Sequence, residues 1–165
     1  MRASPDSSWT IRSATAADLA AIVHLAVAFR DHLAQAAPRP DEFRDGFTRL
    51  LADQAAAITV AARTNQDAAG YVLCRYRWSV WSGGEDVEIE DVFVAAAARR
   101  QGLGRHLVES ALALAQARGC RVAALTTNER NAAALALYAE LGFSATRPRW
   151  QGGRQLWLER RLGPA

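Results

Sequence analysis

The chain has 165 residues, half of them apolar and 22% charged, with a formal net charge of +3. That length supports one domain that buries roughly two thirds of its unfolded surface without help from disulfides or metals. No apolar run approaches the roughly 20 residues that span a bilayer, and the positive charge is spread rather than gathered on one basic face. Neither membrane nor nucleic acid is therefore an expected partner.

All 20 basic residues are arginine, for which a coding bias is the plainest reason. Met1 to Ser8 is polar and unlike a signal peptide, so residues 1–8 are expected to be disordered, residues 9–162 to form a single domain, and the location to be cytoplasmic. Cys74 and Cys120 fit no metal-ligand spacing and lie in apolar stretches. They read as small core residues.

Trp9 to Ser13 alternates apolar and polar residues and predicts a first strand. Thr15 as N-cap, with Asp18 three residues on, gives a capping-box-like start to a helix carrying Leu19, Ile22, Val23, Ala26, Val27, Phe29 and Leu33. That helix is expected to fade near Ala37-Pro38. Asp41 to Asp53 predicts a second amphipathic helix through Phe43, Phe47, Leu50 and Leu51. Ala57 to Ala61 reads as a strand, and Arg63 to Asp67 as a turn. Gly70 to Val80 predicts a long strand, with Tyr71, Leu73, Arg75 and Arg77 on one face and Val72, Cys74, Tyr76 and Trp78 on the other. Ser82-Gly83-Gly84 turns the chain into a third strand ending at Val94, which completes an antiparallel meander.

Leu103, Leu107, Val108, Ala111, Leu114 and Ala115 then trace a helix that stops at Gly119. Arg121 to Thr126 predicts a strand parallel to the one ending at Val94. Asn128 or Asn131 opens a last helix, closed by Gly142, and Phe143 to Thr146 with Gln155 to Arg160 predict a final strand pair around Gly152-Gly153. The order βααβββαβαββ is that of an α/β (α+β) chain with a mixed, mostly antiparallel sheet of six to seven strands and helices on both faces.

Chemistry concentrates between Glu88 and Leu107. An acidic strand runs into Arg99-Arg100-Gln101-Gly102-Leu103-Gly104-Arg105, where a helix begins. Unpartnered N–H groups and the helix dipole make such a start an anion site, and arginines that do not lose their charge surround it. A dinucleotide fingerprint fits poorly, because Leu107 stands where the third glycine is required and the turn follows a meander. A Walker loop requires a lysine, and the chain has none.

Arg99-x-x-Gly102-x-Gly104 resembles the acyl-CoA pyrophosphate loop of the GCN5-related N-acetyltransferase (GNAT) superfamily. Asn131-x-x-Ala134-x-x-x-Tyr138-x-x-x-Gly142-Phe143 is similar to that family's second signature helix, and the element order matches from about Trp9 to Leu158. The resemblance implies a GNAT-like fold with acetyl-CoA as cosubstrate and no metal. Gln101, Gly102, Leu103, Gly104 and Arg105 would offer backbone N–H groups to the pyrophosphate, with the side chains of Arg99, Arg100 or Arg105 near phosphates. Val92, Phe93 and Val94 would pair with the pantetheine arm, Asn131 would bond the pantetheine or pyrophosphate arm, and Tyr138 would protonate the departing thiolate. The family often has proline where Ala96 stands, a departure that loosens the turn without removing a donor.

Acyl transfer to an amine needs a group that takes the ammonium proton. Glu90 is the first choice, with Asp91 or a water chain as alternatives; period-two alternation puts Glu88 and Glu90 on one strand face and Asp91 on the other. Ile89-Glu90-Asp91 is similar to the acidic strand of polyamine and amino-sugar phosphate acetyltransferases, where the acids lie at the acceptor site. The expected function is acetyl transfer to the primary amine of a small cationic metabolite by direct attack in a ternary complex, since no cysteine holds an active position. Arg75 and Arg77 could instead bind a carboxylate or phosphate on the acceptor. A protein N-terminus or lysine is the alternative substrate, and a non-catalytic acyl-CoA-binding regulator the alternative role. Many relatives form a homodimer, the one protein partner implied. Trp78, Trp81, Trp150 and Trp157 read as core or dimer contacts, with Trp78 and Trp81 also candidates to line an acceptor pocket. His24, His32 and His106 read as surface residues, His32 the nearest to an acceptor site.

Overall fold

A computed structural model of the chain describes residues 9–63, 67–146, 151, 156, 158–160 and 162. The segment expected to be disordered, residues 1–8, lies outside them. The chain divides after Leu125 into two compact units.

In the first unit, β1 (Thr10–Ser13) leads through a short 3-10 turn into α1 (Leu19–His32) and α2 (Pro40–Ala52). The turn is fixed by Asp18, which accepts from the Thr15 N–H at 2.8 Å and its hydroxyl at 3.0 Å, the capping box read in the sequence. Arg12 on β1 grips the same carboxylate through two bonds of 2.8 and 2.7 Å. With Asp18 only 8% exposed, those bonds, the Arg12 pair foremost, pull its pKa down to about 2.

The helix expected to reach Ala37-Pro38 stops earlier, at His32. Leu33 is 53% exposed and anchors the helix only weakly, and Ala34 turns into the left-handed region at φ 54°. A residue before proline is disfavoured in helical conformation, so the turns ahead of Pro38 have neither apolar anchor nor backbone freedom to continue.

β2 (Ala56–Ala62), β3 (Gly70–Ser79) and β4 (Gly84–Val94) follow as the antiparallel meander, then α3 (Leu103–Arg118) and β5 (Val122–Leu125). The sheet has order β1-β2-β3-β4-β5, with β5 parallel to β4 and the other pairs antiparallel. Five strands among the described residues replace the six to seven expected. The expected strand over Phe143 to Thr146 is reduced to a lone bridge at Thr146. There the Ser144 hydroxyl accepts the Thr146 N–H at 3.2 Å, a local turn that competes with a ladder. Gln155 and Trp157 of its expected partner, Gly152-Gly153 and Trp150 lie outside the described residues.

The first core fills one face of the sheet. Ile22, Val23, Leu25 and Ala26 of α1 and Phe47 of α2 pack on Ile58, Val60, Tyr71, Leu73 and Phe93. Phe29 stacks on Phe93 with ring centroids 5.0 Å apart, and Phe47 meets Tyr71 edge-on at 5.8 Å. On the other face α3 buries Leu103, Leu107, Val108, Ala111 and Ala115, while Leu114 of the expected stripe stays 38% exposed. A β-carbon at Gly70 would lie 2.9 Å from the Phe93 carbonyl oxygen, so glycine lets β3 start hard against the end of β4. No helix among the described residues is long and apolar enough to cross a membrane.

The second unit carries α4 (Ala132–Glu140), with Asn131 as N-cap accepting from the Ala134 N–H at 3.3 Å. Its end is a Schellman motif. Gly142 sits at φ 85°, its N–H bonds to the Ala139 carbonyl, and the Phe143 N–H bonds to the Tyr138 carbonyl at 2.9 Å.

Candidate active site

The acidic strand does not follow simple alternation. Leu73 of β3 pairs with Asp91, but the next residue, Cys74, pairs with Ile89. Glu90 is therefore the extra residue of a β-bulge. Cross-strand partners share a face, so Asp91 lies with Leu73 and Glu88 with Arg75 on the α1/α2 side. This corrects the expectation that Asp91 points away from Glu88 and Glu90: the extra residue resets the period, and Asp91 joins the face that Glu88 already occupies.

All three carboxylates are thereby gathered. Glu90 is exposed, yet its pKa is raised by desolvation and then by Asp91, with Glu88 adding and Arg75 opposing. Asp91 is half-buried; desolvation raises its pKa, and the hydrogen bond from the Tyr71 hydroxyl, at 3.1 Å, works in the opposite direction. Carboxylates above their ordinary range are better proton acceptors than free ones while still attracting a cation. Arg75 lies among them but is shared with Asp53, its Nη2 3.7 Å from Oδ2.

Beside the carboxylates the strand outruns its parallel neighbour among the described residues. The β4–β5 ladder runs from Asp86↔Val122 to Ile89↔Leu125 and stops there, while β4 continues to Val94. Val92, Phe93 and Val94 therefore have backbone groups beyond the reach of β5, a place where an extended amide-bearing ligand fits. After Val94, Ala96–Ala98 form a single 3-10 turn where the family's proline is missing. Arg99 folds back, its Nε donating to the Val94 carbonyl at 2.9 Å and its guanidinium standing 5.5 Å from the Phe93 ring centre.

The loop then enters the left-handed region at Arg100 (φ 61°) and again at Gly102 (φ 78°). The second of these suits glycine. Arg105 lies 3.8 Å from Glu109 on the next turn of α3. The first i to i−4 bond of α3 runs from the His106 N–H to the Gly102 carbonyl at 3.1 Å, so the N–H groups of Leu103 and Gly104 precede the ladder at the positive end of the dipole. These donors, a glycine turn and flanking arginines fit the pyrophosphate that the resemblance places here.

In the second unit, Asn131 uses Oδ1 to cap α4, while its amide nitrogen adds two donors. Tyr138 is half-buried with its pKa raised by desolvation, which keeps the phenol protonated. Its ring meets Phe143 in a T-shaped contact at 5.8 Å. The Tyr-x-x-x-Gly-Phe spacing thus encodes the helix end that fixes the ring, since residues C3 and C″ of a Schellman motif touch.

Other expected residues fall elsewhere. Trp78 pairs with Glu85, which puts it on the face opposite Arg77 and away from Asp91; it is 70% exposed and Trp81 82% exposed, so neither is core. His24, His32 and His106 are surface residues, as read. Cys74 is buried, and desolvation pushes its thiol up to about 12. Three contributors escaped the sequence reading. Tyr71 is one; a phenol in an apolar strand must place its hydroxyl, and the neighbouring acidic strand was the signal. Trp9 and Arg63 are the others, for both reach Gln101 in the loop, and no local pattern announces them.

Comparison with known proteins bears on this geometry. The model of the acetyltransferase (GNAT) family matches residues 21–143. A thialysine N-epsilon-acetyltransferase from Bos taurus is 32% identical over 73 residues, which is 44% of this chain and only 42% of that relative's length. Among solved structures, a transcriptional regulator from Bacillus halodurans C-125 is 29% identical with a TM-score of 0.73, covering 92% of this chain and all (100%) of the other. AAC(6')-Iy, in complex with the bisubstrate analog CoA-S-monomethyl-acetylneamine, shares the fold at 21% identity and a TM-score of 0.74, over 94% of this chain and 100% of the other. With three quarters of its length matched by the family model, and the loop, bulged strand and signature helix in place, the chain belongs to the GNAT acetyltransferase family.

Proposed function

We propose that the protein is an acetyl-CoA-dependent N-acetyltransferase that acetylates the primary amine of a small cationic molecule by direct attack within a ternary complex. The observation that carries this reading is the gathering of Glu88, Glu90 and Asp91 on one face of β4 by the bulge, beside the stretch of the same strand that outruns β5 among the described residues. A site lined by carboxylates draws an ammonium and holds it where its proton must leave.

When bound, acetyl-CoA supplies an activated thioester carbonyl and a thiolate leaving group. The N–H groups at the start of α3 hold the pyrophosphate, and the β4 edge orients the amide-bearing arm. Glu90 and Asp91 accept the proton of the incoming ammonium, which frees the nitrogen lone pair. Tyr138 gives its phenolic proton to the departing sulfur. A covalent acetyl-cysteine is disfavoured, because Cys74 is buried and desolvation raises the thiol pKa of both Cys74 and Cys120. The relatives support the acceptor class: one is named for an amine of thialysine, and another holds a bisubstrate analog built on acetylneamine.

The test is thiol release from acetyl-CoA with a panel of di- and polyamines, amino sugars, amino acids and a peptide. Small cationic amines are expected to be turned over and the peptide left untouched. Glu90→Gln and Tyr138→Phe should each lower turnover while CoA still stabilises the fold, by about 2.7 kcal/mol at 100 times its Kd. Release from no amine, with CoA binding intact, would leave an acyl-CoA-binding regulator.

A further inference from the structure

We propose that Tyr71 is a positioning residue for the acetyl transfer, its hydroxyl holding one carboxylate oxygen of Asp91 so that the other is presented to the acceptor amine. The inference rests on the reading of Asp91 as part of the proton-accepting pair. Tyr71 is fully buried (0% exposed), and its ring is wedged edge-on against Phe47, with an interplanar angle of 88°. The ring has no room to swing, so its hydroxyl occupies one point, 3.1 Å from Asp91 Oδ2.

Strand register makes that contact. The bulge at Glu90 lies beyond Asp91, so Tyr71 and Asp91 share a face by regular pairing, and the bulge turns Glu88 onto that same face. The Tyr71↔Phe93 pairing sets Tyr71 one pleat from the Leu73↔Asp91 pair on that face, within reach of a phenol but not of a shorter side chain. A hydroxyl donated to a half-buried carboxylate stabilises its charged form. Tyr71 therefore offsets part of the desolvation that burial imposes on Asp91.

The charged groups around Asp91 are few. Its own strand supplies Glu90 and Glu88, and β3 supplies Arg75, held by Asp53. From α1, Phe29 brings an apolar ring against Phe93, while Arg30 is tied to Asp31 at 2.7 Å; His24 and His32 are exposed. From α2, Phe47 packs on Tyr71. Burial and the Tyr71 phenol are what set the ionisation of Asp91 among the described residues.

The experiment is the pH profile of kcat/KM for the acceptor amine in Tyr71→Phe. Losing a hydrogen bond to a charged group should move the acid limb to higher pH by about one unit, with KM for acetyl-CoA unchanged. A fluorinated tyrosine at position 71, a stronger donor, should move the limb the other way, and that variant carries the test if Tyr71→Phe does not fold. A limb that stays put in a folded variant overturns the proposal. Asp91→Asn separates the two layers: if it retains full turnover, the reading of Asp91 falls and takes this inference with it. If it loses turnover while Tyr71→Phe keeps the parental profile, the role of Tyr71 alone is overturned.

Discussion

The indole N–H of Trp9 donates to Oε1 of Gln101 at 3.1 Å, tying the residue ahead of the first strand to the loop before α3 across 92 positions of sequence. Arg63 completes the latch. Its guanidinium lies 4.3 Å from the centre of the Trp9 ring, and its Nη2 reaches the same oxygen at 3.4 Å. Gln101 Nε2 in turn donates to the Ala97 carbonyl at 3.4 Å, so one side chain links the latch to the loop backbone.

Trp9→Phe removes the donor while keeping a ring under Arg63. A loop that is less ordered before binding pays more on binding, and one exposed hydrogen bond is worth about 0.5–1.5 kcal/mol. KM for acetyl-CoA should therefore rise roughly 2- to 10-fold while kcat changes little. Initial rates at saturating amine check this, and a fall in kcat with KM unchanged would refute it.

Asp91→Asn should separate stability from activity. The folded state holds the Asp91 proton more tightly than the unfolded chain does, so its raised pKa means stability is lost as pH climbs from the unfolded value through the folded one. At neutral pH the variant, having no charge to desolvate, should unfold at a higher temperature than the parent. Turnover should fall by about 10²-fold or more if Asp91 takes part in proton transfer. Calorimetry at pH 7 and at pH 4 gives the sign: the gain should shrink at the lower pH.

Asp18 works in the opposite sense. Its pKa is lowered from 3.8 to about 2, so its contribution is complete above the unfolded value and disappears as pH falls through the folded one. That difference corresponds to about 2 kcal/mol. Asp18→Ala should lower the melting temperature by about 4–8 °C at pH 7, and the gap to the parent should close toward pH 2. An equal gap at both pH values would show that the loss is not electrostatic.

Local rules made much of the fold legible. The capping box at Thr15 and Asp18, the glycines that end α3 and α4, and the alternation of β3 all follow from a few neighbouring residues, and the structure keeps them. The loop and the Asn131–Phe143 motif were equally readable as patterns. The bulge was not, because it belongs to the register between two strands rather than to either strand alone; reading β4 by itself set Asp91 opposite Glu88. The Tyr71–Asp91 and Trp9–Gln101 bonds join residues 20 and 92 positions apart. Only a folded sheet brings such pairs within reach. The shortening of α1 reflects how weakly Leu33 and Ala34 are anchored, a tertiary fact.

The single extra residue in β4 makes the side on which its carboxylates stand a matter of counting. A homologous strand could spell the same Ile-Glu-Asp without the bulge, and the acid three residues before its aspartate would then face the other way. Conversely, a strand with different letters but the same count could present a carboxylate as this one does. Comparing acceptor specificity across such chains by matching letters alone would therefore group proteins whose acids face opposite ways. Strand register is the trait to align.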